Sequence, residues 1–302
     1  MGLPISKSIT GLLPRRKRQR EYSIGRHTIT LPAEHRLDVF QKHWLRYDLA
    51  LGEIARLVNQ KYPETTAIDI GANIGDSAAA ICKYADIPVL CIEGNQNFLP
   101  YLKKNILRLG AHVVLEQGFV GGNKLVVNEK TISTRNGTAS ITSSIGASGE
   151  ADGQLLKTMK SVLETQPRFS NPRLIKIDTD GCDFAIICHA EDILVASKPV
   201  VFFEYYLTGN ANEDTEASDA IDRLFKAGYN KHLVYDNFGN FIISADTRDR
   251  FVELNSYLRS NKHNGVAVYY LDICSFHEND DDLHSEMRSI ELNAVPKLKK
   301  AV

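Results

Sequence analysis

A chain of 302 residues with 43% hydrophobic content is long enough to bury a full core, as one large α/β domain or two small ones. Its 36 Lys and Arg against 37 Asp and Glu leave a net charge of −1, which supplies no general field for nucleic acid or an anionic membrane. No apolar run approaches the roughly 18 residues of a membrane span, and the N-terminus lacks the h-region of a secretory signal.

The five cysteines, Cys82, Cys91, Cys182, Cys188 and Cys274, are odd in number and show no CxxC spacing. They read as reduced core residues of a cytoplasmic protein. Nothing in the sequence sets an oligomeric state.

Residues 1–20 read as a flexible basic tail that ends in Arg15-Arg16-Lys17-Arg18-Gln19-Arg20. Such a run is a solvated arm, with peripheral contact to membrane phosphates or an anionic substrate as the alternative reading. Residues 21–65 form an N-terminal extension. In it Tyr22–Leu31 suggests a strand or short hairpin, and a helical stretch from about Leu37 to Tyr62, broken near Asp48, carries Val39, Leu45, Leu49, Ile54, Leu57 and Val58 at helical spacing.

From residue 66 to 276 short apolar β runs alternate with helical segments, the pattern of βαβ units on a parallel sheet. Strands are predicted at Ala67–Ile70, Val89–Ile92, Val113–Gly118, Leu174–Asp178 and Val200–Tyr205, with later ones near His232–Tyr235, Phe241–Ser244 and Val266–Ile273. Helices are predicted over Asp76–Tyr84, Asn97–Leu109, Leu155–Leu163 and Ala217–Ala227. Gly121–Gly153 is rich in Gly, Ser, Thr and Asn; its place after the third strand of the domain makes it a substrate lid over the carboxyl edge of the sheet, or else a surface insertion. Residues 277–302 read as a charged tail with a weakly helical pattern from Glu278. The expected architecture is α/β: a Rossmann-like three-layer sandwich with a mainly parallel sheet, an antiparallel element at its end and a helical N-terminal extension.

The strongest local signal is Ala67-Ile68-Asp69-Ile70-Gly71-Ala72-Asn73-Ile74-Gly75-Asp76-Ser77, a strand entering a small-residue turn and then a helix. Gly71 and Gly75 allow a sharp bend and a close approach to a ligand. Dinucleotide sites use GxGxxG, whereas this turn reads GxNxG between the carboxylates of Asp69 and Asp76, which would repel a pyrophosphate. S-adenosylmethionine has no phosphate and carries a sulfonium and an ammonium, so the acidic turn selects it over NAD, with a free helix amide left to accept its carboxylate. Glu93, followed by Gly94 and Asn95, ends the next strand 18 positions after Gly75. A carboxylate there can accept both ribose hydroxyl hydrogens; alone it could be a surface group.

These residues carry a resemblance to the FkbM family of S-adenosylmethionine-dependent methyltransferases, covering about Ala67 to Tyr205. It rests on the Asp69–Asp76 turn, the block from Glu93-Gly94-Asn95 to Asn105, Thr158-Met159-Lys160-Ser161-Val162-Leu163, Leu174-Ile175-Lys176-Ile177-Asp178-Thr179-Asp180-Gly181, and Phe202-Phe203-Glu204. Two positions depart from the commoner pattern: Asp183 stands where many relatives have Glu, as does Asp180 before the glycine, and each shortens the reach by one methylene. The resemblance implies methyl transfer to oxygen, often in biosynthesis of polyketides or surface glycans. Leu31-Pro32-Ala33-Glu34-His35-Arg36-Leu37 and the Tyr47-Asp48 segment are similar to members associated with polysaccharide synthesis, which implies a hydroxyl-bearing small molecule or glycan as acceptor.

Catalytic candidates follow from strand alternation. Lys176 and Asp178 share a face while Ile175 and Ile177 enter apolar packing. Asp178 could take the proton of an attacking hydroxyl; alternatively it caps a helix or grips the cofactor's amine. Glu204 is the second candidate base, or the partner of Lys176 in an ion pair. Asp178, Asp180 and Asp183 together could hold a divalent ion, a reading not favoured because no His or Asn is assigned beside them, so no metal is assigned. The nine histidines show no zinc spacing; His35 and His43 are placed near the site mouth without chemistry. The alternatives to an enzyme of this class are a non-catalytic ligand-binding or scaffold protein with the same fold, and an NAD-dependent oxidoreductase.

Overall fold

The computed structural model describes residues 19–121, 126–127, 132–135, 138–141, 154–155, 157–179, 181–207, 209 and 212–294. Two antiparallel strands, β1 (Gln19–Ile24) and β2 (His27–Pro32), precede helices α1 (Leu37–His43) and α2 (Leu49–Lys61). Then β3 (Ala67–Ile70), α3 (Asp76–Tyr84), β4 (Val89–Glu93), α4 (Leu99–Leu109) and β5 (Val113–Gln117) follow in strict alternation. Two small antiparallel pairs come next, formed by β6 (Val126–Val127) with β9 (Gln154–Leu155) and by β7 (Ile132–Arg135) with β8 (Thr138–Ile141).

The second half runs α5 (Met159–Thr165), β10 (Leu174–Ile177), α6 (Asp183–His189), α7 (Glu191–Ser197), β11 (Val200–Tyr205) and α8 (Glu213–Lys226). It ends with β12 (Tyr229–Asp236), β13 (Phe241–Ala245), α9 (Arg248–Asn264), β14 (Leu271–His277) and α10 (Asp281–Ala294).

Eight strands form the central sheet in the order β13-β12-β14-β11-β10-β3-β4-β5. The five from β11 to β5 are mutually parallel, and β14, β12 and β13 join antiparallel. The α/β sandwich with a mainly parallel sheet and an antiparallel end is therefore the architecture. Strands buried on both faces explain the continuous apolar runs: one core packs Ile54, Val58, Ile81, Leu102 and Met287 against Val89 and Val200, and the other packs Val162, Ile187, Leu224 and Phe251 against Ile68, Ile92 and Val201. From β3 the chain first builds outward to β5 and then returns to place β10 on the other flank of β3. The topological switch, where ligands bind in open α/β sheets, thus lies between the ends of β3 and β10.

The elements of the first half match the sequence reading to within a few residues, including the break at Asp48 between α1 and α2. Several later expectations are corrected. The last strand is displaced from Val266–Ile273 to Leu271–His277. The helix predicted from Leu155 starts at Met159, where Thr158 caps it by accepting the Ser161 amide at 3.1 Å, and Leu155 instead pairs with Val126.

Helix α9 was not predicted because it is polar nearly all round; it buries Phe251, Leu254, Leu258 and Asn261 at helical spacing and exposes the rest. The charged stretch after 277 contains α10, which buries Leu283, His284, Met287 and Glu291. Nor does the basic run stay a solvated arm throughout, since Arg20 pairs with Asp38 at 2.5 Å and donates to the His35 carbonyl. Arg15 to Arg18 lie outside the described residues, as does most of the Gly121–Gly153 segment read as a lid. No described helix is long and apolar enough to cross a membrane.

Among the ties that fasten the N-terminal hairpin to the domain, one is a fully buried side chain. Fully buried Asn105, on α4, accepts the Thr30 amide at 2.7 Å and donates to the carbonyls of Thr30 (3.0 Å) and Ile74 (2.8 Å), tying β2 to the turn that follows β3. Replacing it leaves a buried amide and two carbonyls unpaired. Asn105→Ala is expected to lower unfolding free energy by about 3 kcal/mol or more, read from urea denaturation; a loss below about 1 kcal/mol would contradict this role.

Candidate active site

A cavity of about 1570 Å³, open solvent at its mouth included, lies at the carboxyl ends of β3, β4, β10 and β11. Of the residues singled out in the sequence, Gly71, Asn73, Asp76, Ser77, Glu93, Gly94, Asn95, Lys176, Asp178 and Glu204 line it. Gly75 and Asp69 do not.

Asp69 is fully buried beneath the turn, accepting the Ser77 hydroxyl at 2.6 Å and facing the Lys176 ammonium at 3.4 Å. It shapes the start of α3 instead of meeting a ligand, and it occupies the Ser77 hydroxyl. The glycines are needed for protein packing more than for ligand approach. At Gly71, with φ of +77°, a Cβ would sit 1.8 Å from the Asp178 carbonyl oxygen; at Gly75, with φ of +89°, it would meet Leu102 at 3.0 Å. Asn73 also adopts a left-handed conformation, with φ of +48°.

Glu93 closes the cofactor side. Its carboxyl accepts the backbone amides of Asn73 at 2.8 Å and Asn95 at 2.6 Å and retains acceptor capacity for a ligand. Burial pushes Glu93 up to about 7, against the hydrogen bonds from Asn95, Asn73 and Gly94. Asn95 takes the Asn97 amide at 2.9 Å on Oδ1, while its buried Nδ2 has no partner among the described residues. The first amides of α3, which have no acceptor within their own helix, open beside Asp76. Acceptor carboxylate, amide donor and helix start together fit the hydroxyls, ring nitrogens and carboxylate of S-adenosylmethionine, and Asp76 on the cavity wall beside the helix start disfavours a pyrophosphate.

On the neighbouring strand Lys176 is buried between carboxylates: 3.4 Å to Asp69, 3.1 Å to Asp178, with a hydrogen bond to the Gly71 carbonyl at 3.3 Å. Burial works against its charge, but Asp178, Asp69 and Asp76 outweigh it and hold the ammonium well above the ordinary lysine range. Lys176 is thus a fixed cation that positions Asp178, not a proton carrier. Glu204, the alternative partner for Lys176, lies on β11 two residues beyond Phe202, which the strand register sets opposite Lys176. Asp178 keeps a side chain 47% exposed, turned to the cavity on one oxygen.

Asp183 is directed elsewhere. Its carboxylate accepts from the Thr179 amide (3.2 Å) and hydroxyl (3.0 Å) and the Gly181 amide (3.3 Å), closing the loop before α6; burial pushes it up to about 6. Asp180 lies outside the described residues, and among the described ones no group of three His, Cys, Asp or Glu is arranged to hold a metal ion. His35 lines the cavity, whereas His43 is on the outer side of α1, bonded to the Val39 carbonyl.

The sequence reading missed one wall. The elbow between α1 and α2 brings Arg46, Tyr47 and Asp48 into the lining, joined by Tyr235, Tyr270 and Asp272 from the antiparallel end of the sheet. Asp48 is held left-handed, with φ of +63°, and accepts the Gln41 amide at 3.0 Å; Gln41 in turn accepts the Tyr22 hydroxyl at 2.9 Å. A buried pair of Arg46 with Glu291 ties the elbow to α10, and Trp44 stacks on Phe238 at 4.5 Å. In the sequence this wall was signalled by the helix break at Asp48 and by the Tyr47-Asp48 segment of the family resemblance, and Tyr235, Tyr270 and Asp272 carried no signal.

The raised Glu93 carboxyl has a sign that can be tested. A folded value near 7 against the ordinary 4.5 means that folding favours the protonated form; this share of stability is complete below about pH 4.5 and is lost as pH rises through about 7. A ligand whose hydroxyls both donate to Glu93 favours the ionised form instead. Affinity for S-adenosylhomocysteine is therefore expected to tighten between about pH 6 and pH 8, and Glu93→Gln should weaken binding and flatten that dependence. Calorimetry at several pH values checks it; an unchanged slope in a folded Glu93→Gln variant would reject the assignment.

Among curated proteins none matches the chain. Among solved structures, it is similar to an FkbM methyltransferase from Methylobacillus flagellatus KT, at 15% identity and a TM-score of 0.39 over 54% of this chain and 37% of that one. It is also similar to a putative caffeoyl-CoA O-methyltransferase from Staphylococcus aureus, at 13% identity and a TM-score of 0.40 over 82% and 93% of the two chains, and to an O-methyltransferase from Bacillus cereus in complex with SAH, at 12% identity and a TM-score of 0.39 over 74% and 80%. The chain thus spans little more than a third of the Methylobacillus protein. The model of the methyltransferase FkbM domain matches residues 69–231, which takes in the turn, Glu93, Lys176, Asp178 and Glu204, and the chain belongs to the FkbM methyltransferase family.

Proposed function

We propose that the chain transfers a methyl group from S-adenosylmethionine to a hydroxyl of a small molecule or glycan, a sugar of a surface polysaccharide or glycolipid, in the cytoplasm. The observation that carries this reading is the Lys176–Asp178 pair at the topological switch, which sets a half-exposed carboxylate on the cavity wall beside the turn. When bound, S-adenosylmethionine supplies an electrophilic methyl carbon on a sulfonium that becomes a neutral thioether as the methyl leaves.

The residues then divide the work. Glu93 and Asn95 hold the cofactor side, and Asp76 and Asp178 place negative charge near its cations. Asp178 or Glu204 accepts the hydroxyl proton as the acceptor oxygen bonds to carbon. Lys176 keeps Asp178 oriented throughout, and the elbow at Arg46–Asp48 excludes water from one side. The sugar is supported by the similarity of Leu31–Leu37 and Tyr47-Asp48 to members associated with polysaccharide synthesis, and by the carboxyl groups and tyrosines of the missed wall, which suit a ligand rich in hydroxyls.

Replacing each base candidate with its amide separates their roles. Asp178→Asn is expected to lower turnover by about 10²-fold while leaving S-adenosylhomocysteine affinity within a few-fold, because the amide keeps shape and loses proton affinity. If Asp178 mainly grips the cofactor's ammonium, binding weakens first and Glu204→Gln shows the larger loss in turnover. Full activity of both variants at saturating substrates would exclude carboxylate base catalysis.

A further inference from the structure

Strand register sets a row of side chains across the antiparallel end of the cavity. β11 and β14 oppose Glu204 to Asp272, and β14 and β12 oppose Asp272 to Tyr235; directly opposed residues share one face of a sheet. All three line the cavity, as do Tyr47 and Asp48 from the elbow and Tyr270 from the start of β14. The hydroxyl of fully buried Tyr235 has no hydrogen-bond partner among the described residues. The Asp272 carboxyl makes no hydrogen bond or ion pair with any of them.

Charge in this wing is unbalanced. Lys176 is already shared between Asp69 and Asp178, and Arg46 is paired with Glu291. Asp76 and Asp178 flank the turn assigned to the cofactor and answer its own cations. Asp48 and Asp272 are left facing each other's field. Burial first, and then Asp178 and Asp48, raises Asp272 well above the ordinary range, while burial and then Asp76 carries Asp48 up to about 7. Half-buried carboxyl groups without a counter-charge are costly, and carboxylates walled by tyrosine rings are the chemistry that recognises an ammonium group.

We infer that the acceptor carries a protonated amino group, seated by Asp272 and Asp48 among Tyr47, Tyr235 and Tyr270, so that amino sugars and not neutral or acidic sugars are the acceptor class. This rests on the hydroxyl-methylating reading above.

The test is calorimetric titration of the full chain, loaded with S-adenosylhomocysteine near neutral pH, with glucosamine, glucose and glucuronate. Glucosamine is expected to bind at least about tenfold tighter than glucose, and glucuronate weakest. Asp272→Asn should reduce glucosamine to the level of glucose while S-adenosylhomocysteine affinity stays within about twofold; Asp48→Asn, scored the same way, takes its place if Asp272→Asn no longer melts cooperatively. Equal or tighter binding of glucose or glucuronate, no binding of glucosamine, or a preference that survives the substitution would overturn the inference. If S-adenosylhomocysteine itself fails to bind the unaltered chain, the methyltransferase reading is the one contradicted.

Discussion

The Lys176 ammonium, sealed between Asp69 and Asp178 at the switch between β3 and β10, ties the two halves of the sheet to the chemistry of the site. Asp69 in turn holds the Ser77 hydroxyl at the first turn of α3, so one cation fixes the cofactor turn on one side and the candidate base on the other. Removing Asp69, the fully buried member, costs about 3–5 kcal/mol because it strands the Lys176 charge, whereas Asp178 is half exposed and its loss is screened by solvent. Gly71 completes the joint: the Asp178 carbonyl occupies the space a side chain would need.

Around this joint the cavity is divided by charge. The cofactor end is built from backbone amides gathered by Glu93 and from the start of α3, and it suits a ligand with hydroxyls and a carboxylate. The opposite end is built from carboxyl groups and tyrosines, and the cations within reach are already committed. The elbow that closes this end depends on distant parts of the chain, with Arg46 held by Glu291 of α10, Trp44 by Phe238 of the β12–β13 turn, and Asp48 by Gln41 and through it by Tyr22 of the hairpin. Both ends of the described chain therefore bear on the acceptor side of the site.

Local pattern was enough for the parallel half of the fold. The runs Ala67–Ile70, Val89–Ile92, Leu174–Asp178 and Val200–Tyr205 are apolar because both faces are buried, and the GxNxG turn and Glu93 stand at strand ends where a ligand can reach them. The pattern was insufficient where partners lie far apart in sequence. That Asp69 faces Lys176 instead of a ligand depends on a β3–β10 pairing across more than a hundred residues. That Asp183 caps its own loop depends on a turn formed by Thr179 and Gly181, and the Asp48–Tyr235–Asp272 wall on an antiparallel register no short motif encodes. Helix α9 shows the same limit in simpler form, since four buried positions in a polar helix leave almost no periodic signal.

Asp76 on the cavity wall and the amide-gathered Glu93 favour a ligand with hydroxyls and cationic groups over one with a pyrophosphate. Titration of the purified chain with S-adenosylhomocysteine and with NAD tests this most directly. The account predicts saturable binding of S-adenosylhomocysteine and none of NAD under the same conditions; tighter binding of NAD would contradict it.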